Sequence, residues 1–92
     1  MKTAERSRAF AVRKSLTNER ICPYLVEIPV AGAPLNIALS RQIIEFHKSR
    51  HIQLRYGRTI FRGSETYYRW CFADTTTAHA FVEQFGGAFY NA

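Results

Sequence analysis

Acidic residues are scarce in this chain, and those that occur are spread along it. The 92 residues include 7 Asp and Glu against 13 Lys and Arg, which gives a formal net charge of +6. No two acidic residues are close in sequence, so a paired-carboxylate site for acid–base catalysis is not indicated. A positive charge of this size raises the rate of encounter with polyanions and with acidic protein surfaces.

Cysteines and long hydrophobic runs are also lacking. Cys22 and Cys71 are too few for a disulfide scaffold, and they do not have the spacing of metal ligands. No signal-peptide pattern is seen, so we expect reduced thiols and a cytoplasmic location. No apolar run approaches the roughly 20 residues that span a membrane, and we expect no membrane partner.

The motifs of common catalytic and cofactor sites are absent from the sequence. There is no phosphate loop, no GxGxxG, no KH-type GxxG and no RNP1 pattern. His47 and His51 have the spacing of two ligands on one helix face, but the cations Lys48 and Arg50 between them disfavour Zn²⁺. The sequence therefore predicts no metal, no cofactor and no catalytic residue.

The positive charge is concentrated in two blocks. Residues 1–20 and residues 41–69 are strongly basic, whereas residues 21–40 and 70–92 carry only acidic charges. We interpret residues 1–20 as a basic N-terminal arm or a short helix, with Ala4–Lys14 as the helical option. Residues 21–92 are predicted to form a single α+β domain.

The first part of that domain predicts a strand and then a helix. Apolar residues alternate over Tyr24–Val30, which is typical of a strand, and residues 31–34 form a turn. A helix is predicted from Leu35 to Arg50, with an apolar stripe at Leu35, Leu39, Ile43 and Phe46. The alternative is a short strand through Leu35, Ile37 and Leu39, followed by a helix that Ser40 caps.

Two isoleucines do not belong to the stripe of this helix. Ile37 and Ile44 lie near its opposite face, beside Arg41 and Lys48. Either the helix is covered on two sides, or a mixed apolar and basic patch faces outward to meet a protein partner.

A β-hairpin is predicted over His51–Asp74. It turns at Gly63-Ser64, which places Arg62 opposite Glu65, and its returning strand is Thr66–Ala73. Gly57 interrupts the outgoing strand and indicates a bulge or a close approach by Trp70.

A last helix completes the predicted domain. Asp74 is its N-cap, its apolar stripe runs from Ala78 to Phe85, and Gly86-Gly87 ends it. The order β-α-β-β-α predicts a three-stranded antiparallel or mixed sheet with two helices on one face. The other face is left to the N-terminal segment, to solvent or to a partner.

Arginines and aromatic residues alternate in the hairpin, a composition that suits nucleic acid. Guanidinium groups pair with phosphates and aromatic rings stack on bases. The aromatic residues also fit a core, but four arginines lie within fifteen residues with only Glu65 to offset them. The predicted binding residues are Arg13, Lys14, Arg41, Lys48, Arg55, Arg58, Arg62, Arg69 and Tyr67.

A metal-independent endoribonuclease is an alternative interpretation. It requires a histidine or tyrosine together with arginines that stabilise the transition state. Tyr67, Tyr68, His47 and His51 could supply those groups. A free nucleic-acid-binding regulator is the other alternative.

The chain as a whole resembles the small phage-encoded inhibitors of bacterial defence, in particular anti-CRISPR proteins that bind the type I CRISPR surveillance complex. The likeness rests on a compact basic α/β domain without a catalytic set, with the segments MKTAERSRAFAVRK and HKSRHIQLRYGRTIFR. It implies a non-enzymatic protein of the host-cell cytoplasm that docks on Cas subunits, guide RNA or both, and so blocks target DNA. The resemblance gives no roles to individual residues, and monomer and homodimer both remain open.

Overall fold

The computed structural model describes the backbone of residues 2–30 and 37–91, and the side chains of residues 12–30 and 37–91. The predicted turn at residues 31–34 and the predicted helix start at Leu35 lie outside the described residues. The elements are α1 (Lys2–Ile21), β1 (Tyr24–Pro29), α2 (Ile37–Ser49), β2 (Ile60–Arg62), β3 (Glu65–Phe72), α3 (Thr75–Phe85) and β4 (Ala88–Asn91).

The strands form one antiparallel sheet in the order β2-β3-β1-β4. From β1 onward the chain has the split β-α-β arrangement, in which two such units interleave and β1 and β3 become central neighbours. The predicted α+β class is confirmed. The prediction of three strands is wrong, because β4 adds a fourth strand beside β1.

β4 follows α3 after a turn that only glycine allows. Gly86 and Gly87 have φ values of 81° and 97°, in the left-handed region. A Cβ on Gly87 would lie 2.5 Å from the carbonyl oxygen of Glu27, so a side chain there would hold β4 away from β1. The close approach places Phe89 opposite Val26 in the antiparallel ladder.

α2 and α3 pack on the same face of the sheet, as their apolar stripes predict. On that face Val26 of β1 lies opposite Trp70 of β3, and the ring of Phe81 from α3 lies 5.4 Å from the indole. The buried core consists of Val26, Ile28, Ile43, Phe46, Trp70, Phe72, Ala78 and Phe81.

α2 is helical from Ile37, so the alternative strand through Ile37 and Leu39 is wrong. Its buried face carries Ile43 and Phe46, as the stripe predicts. Ile37 and Ile44 are exposed, which means that the mixed patch faces outward and is not covered by the described part of the chain.

α1 is a 20-residue helix where the sequence predicts an arm or a short helix. An isolated helix gains little stability without packing, and α1 is held by polar contacts in its last turns. Asn18 Nδ2 donates to the carbonyl oxygen of Tyr56 at 2.9 Å, and Glu19 Oε2 accepts from the backbone N–H of Arg58 at 2.6 Å. These contacts add no apolar periodicity, which explains why the sequence pattern predicted too little helix.

The predicted hairpin turn and the predicted cap of α3 are both confirmed. Gly63 and Ser64 connect β2 to β3 with Arg62 opposite Glu65, and Gly63 has a φ of 60°. Asp74 Oδ1 accepts from the backbone N–H of Thr77 at 2.7 Å, which satisfies one of the free donors at the start of α3.

The outgoing side of the hairpin contains the bulge that Gly57 indicates. Tyr56 lies opposite Trp70 and Ile60 lies opposite Tyr67, so residues 57–59 face only two residues of β3. The close neighbours of Gly57 are Arg69 and Glu19 rather than Trp70, because an added Cβ would lie within 3.0 Å of both. β2 is consequently short, and the segment before it is irregular.

Candidate functional site

Three of the four hairpin arginines belong to a continuous chain of ion pairs with two carboxylates. Arg62 Nη1 lies 2.5 Å from Glu27 Oε1, and Arg69 Nε lies 2.6 Å from Glu27 Oε2. Arg69 also reaches Glu19, with 2.9 Å between Nη1 and Oε1, and Arg58 Nη2 lies 3.1 Å from the same oxygen. Arg69 therefore joins the last turns of α1 to the centre of the sheet.

The two carboxylates of this ion-pair chain, those of Glu19 and Glu27, are buried on the sheet face opposite the core. Burial raises the pKa of Glu27, but hydrogen bonds from Arg62 and Arg69 outweigh it and leave the pKa below its ordinary value. Burial acts on the pKa of Glu19 in the same way, and Arg58 and Arg69 again reverse the effect. Both groups are thus charged at neutral pH and compensate much of the arginine charge.

Glu19 and Glu27, and not only Glu65 as the sequence predicts, therefore offset the hairpin arginines. Glu19 and Glu27 lie 35 to 50 residues away from their partners in the chain. The signal that could have found Glu27 is its position among Leu25, Val26 and Ile28, because a carboxylate in a buried strand needs a charged partner.

Tyr67, the predicted aromatic contact, interacts with its neighbours on the hairpin. Its hydroxyl donates to Glu65 Oε2 at 2.5 Å, and this hydrogen bond raises the pKa of the tyrosine. The guanidinium carbon of Arg62 lies 5.1 Å from the ring centroid, so a cation covers part of one ring face.

Arg55 differs from the other hairpin arginines because it has no carboxylate partner among the described residues. Its Nη1 donates to Asn18 Oδ1 at 3.0 Å and its Nη2 to Gln53 Oε1 at 3.1 Å. Both partners are neutral amides, so the guanidinium is fixed in position while its charge is left uncompensated.

Arg55 and Lys14 lie at one end of a groove between α1 and residues 53–61. This end is a concave region of about 400 Å³, which Ser15 and Tyr56 also line. No carboxylate of the described residues lies within 4 Å of either cation. An anionic group in the groove would meet two positive charges and several hydrogen-bonding side chains.

The other predicted cations lie elsewhere. Arg13 lines a different concave surface of α1, together with Leu16, Thr17 and Arg20, and that surface shares no residue with the groove. Arg41 and Lys48 are exposed on α2, on the opposite side of the sheet from the ion-pair chain. Together with Ile37 and Ile44 they form the α2 patch.

Two of the groups named for ribonuclease chemistry, His47 and Tyr67, lie on opposite faces of the sheet. His47 is buried on the core side, and its Nδ1 donates to the carbonyl oxygen of Ile43 at 2.8 Å. Burial lowers its pKa, so the ring is neutral at pH 7. Tyr67 belongs to the opposite face of the sheet, in register with Pro29 rather than with a core residue.

Comparisons with known proteins indicate no function for the groove or the ion-pair chain. No protein-family model matches the chain, and neither curated proteins nor solved structures give a match. Within the described residues, no three metal-binding side chains come together. None of the described helices combines the length and the apolarity needed to cross a membrane.

Proposed function

We propose that the protein is a non-enzymatic binding protein that docks on a nucleoprotein complex and contacts its phosphate groups through the groove. The observation that carries this proposal is the pair Lys14 and Arg55, which line one end of the groove without a nearby carboxylate. A phosphate is the common biological anion that such a pair of cations binds well.

The distribution of uncompensated charge supports an acidic partner. Seven cations of the described residues have no carboxylate within 4 Å: Arg13, Lys14, Arg20, Arg41, Lys48, Arg50 and Arg55. Lys14 and Arg55 line the groove, and the other five lie elsewhere on α1, on α2 and just after α2. Together they give the described surface a positive potential that accelerates encounter with a polyanion. The hairpin arginines Arg58, Arg62 and Arg69 contribute less to this potential, because Glu19 and Glu27 compensate them.

More specifically, we propose that the protein inhibits the type I CRISPR surveillance complex by blocking access of target DNA. The basic character of the chain and its resemblance to anti-CRISPR proteins support this form. The groove would contact guide RNA, and the α2 patch, with Ile44 between Arg41 and Lys48, would contact a Cas subunit.

The test is binding of the purified chain to an assembled type I surveillance complex, followed by a target-DNA binding assay. Wild type should bind at a fixed stoichiometry and reduce DNA binding, and Lys14→Glu should weaken both effects. Arg20→Glu is the matched control, since it makes the same charge change on the other side of α1. The proposal fails if the complex is not bound, or if Lys14→Glu and Arg20→Glu behave alike.

A free nucleic-acid-binding regulator is the second candidate, and the open groove with its uncompensated cations favours it. Such a regulator should shift naked duplex DNA or RNA in a gel, with affinity that falls steeply as salt rises. If the chain ignores naked duplexes but binds the ribonucleoprotein, this candidate is excluded.

A further inference from the structure

The groove beside α1 extends well beyond the end that contains Lys14 and Arg55. Two further concave regions, of about 340 and 320 Å³, continue it along the chain toward β2. Ser15 lines all three regions, Tyr56 lines the first and second, and Thr59 lines the second and third. The three regions are therefore parts of one elongated groove.

Two exposed aromatic rings lie along this groove. Tyr56 is 51% exposed and lines its first two regions, and Phe61 is 75% exposed and lines the third. Phe61 belongs neither to the core nor to the residues packed against it. The ring of Tyr56 lies 6.0 Å from that of Trp70, so one side of it borders the core while the rest is exposed. Exposed aromatic side chains in a groove offer planar surfaces on which flat ligand groups stack.

Positive charge accompanies the rings. Lys14 and Arg55 lie at the end near Tyr56, and Arg58 lines the end near Phe61. Arg58 pairs with Glu19, yet 46% of its side chain is still exposed. No Asp or Glu of the described residues lines any of the three regions.

We propose that the groove binds one unpaired strand of nucleic acid. Bases stack on Tyr56 and Phe61, while Lys14, Arg55 and the exposed part of Arg58 contact the phosphates. The alternation of rings and cations favours an unpaired strand, because the bases of a duplex stack on each other and expose only their edges. This inference rests on the proposed function, and it identifies which part of a nucleoprotein the groove contacts.

The first experiment measures binding of fluorescently labelled eight-nucleotide RNA and DNA strands by anisotropy, beside an eight-base-pair duplex of each. The wild-type chain should bind the single strands more tightly than the duplexes. Tyr56→Leu and Phe61→Leu keep an apolar side chain but remove the stacking plane, so each should weaken binding at least about fivefold. Tyr90→Leu is the matched control, because this exposed ring on β4 lines none of the three regions.

The second experiment measures the salt dependence of single-strand binding. Each phosphate contact contributes a slope of about −0.7 in a plot of log K against log salt concentration. Lys14→Gln should therefore reduce the slope by about 0.7, whereas Arg20→Gln should leave it unchanged. Both variants lose one positive charge from α1, so a general charge effect would alter them equally.

The outcomes separate this inference from the proposed function. Three outcomes would refute single-strand binding by the groove. They are no binding of single strands at low salt, tighter binding of duplexes than of single strands, and equal effects of the groove and control variants. Docking on the surveillance complex would still be judged by its own assay. Single-strand binding without any docking would instead support the groove and refute the proposed function. Tighter binding of RNA than of DNA would indicate contacts to the ribose hydroxyl, and equal binding would indicate stacking and phosphate contacts alone.

Discussion

Replacement of Glu27 by glutamine tests how much the ion-pair chain stabilises the fold. The substitution preserves size but removes the charge that Arg62 and Arg69 share. The two arginines respond differently, since the side chain of Arg69 is only 12% exposed and that of Arg62 is 44% exposed. Water can replace the lost carboxylate at Arg62, but it reaches Arg69 poorly.

The expected loss follows from that difference in exposure. Breaking a buried ion pair by removing one partner costs roughly 3–5 kcal/mol. Because Arg62 is rehydrated and Arg69 keeps Glu19, we expect the lower end, about 3 kcal/mol. The whole free energy of unfolding for a chain of this length is about 5–14 kcal/mol, so the variant should lose a large fraction of it.

Thermal and urea unfolding, followed by the fluorescence of Trp70, measure this loss. A loss of about 3 kcal/mol should lower the Tm by roughly 12–24 °C. Glu83→Gln is the matched control, because Glu83 is exposed on α3 and forms no ion pair with a described residue. Its free energy of unfolding should change by no more than about 0.5 kcal/mol.

The difference in unfolding free energy between wild type and Glu27→Gln should depend on pH, which provides a second check. The pKa of Glu27 lies below its ordinary value of 4.5 in the folded state. The stabilisation by the charged carboxylate is therefore fully present above pH 4.5 and is lost as the pH falls through the folded-state pKa. The gap between wild type and Glu27→Gln should narrow over that range. A gap at pH 7 no larger than that of Glu83→Gln, or one that stays constant to pH 3, would refute the reasoning.

Three further predictions concern single positions. Gly57→Ala should lower the free energy of unfolding by roughly 1–3 kcal/mol in urea titrations, because its Cβ would lie 2.9 Å from Glu19 Oε2 and 3.0 Å from Arg69 Cβ. His47→Leu should reduce the loss of stability between pH 7.5 and 5.5, since burial lowers the folded-state pKa of His47 below 6.5 and protonation then favours the unfolded chain. Cys71 should resist alkylation in the folded protein and react in urea, because burial raises its pKa to about 12.

Sequence patterns predicted the elements whose signals are local. The alternation in β1, the apolar stripes of α2 and α3, and the Gly63-Ser64 turn each depend on residues within one short segment. β4 was not predicted, because its pairing with β1 depends on the approach of Gly87 to Glu27, some sixty residues away in the chain. The length of α1 was not predicted for a similar reason, since Asn18 and Glu19 bind the backbone of Tyr56 and Arg58, 38 and 39 residues away in the chain.

The candidate site could be predicted only in part, because charge compensation acts through space. Counting charges along the hairpin treats Arg55, Arg58, Arg62 and Arg69 as equivalent, although only Arg55 lacks a carboxylate partner among the described residues. The residue types that suit nucleic acid were recognised in the sequence. Whether a given arginine joins the internal ion-pair chain or lines the open groove depends on where α1 lies.

The ion-pair chain and the groove are two consequences of how α1 is attached. Asn18 fixes its last turns to Tyr56, and Glu19 fixes them to Arg58 in the bulge at residues 57–59. The preceding turn, with Lys14 and Ser15, faces the segment that contains Tyr56 across the groove. The bulge contributes to both, because it directs the N–H of Arg58 to Glu19. Arginines that hold α1 in place therefore determine the position of the cations that remain free to bind a partner. A substitution in the ion-pair chain should consequently weaken strand binding even though it leaves Lys14 and Arg55 intact.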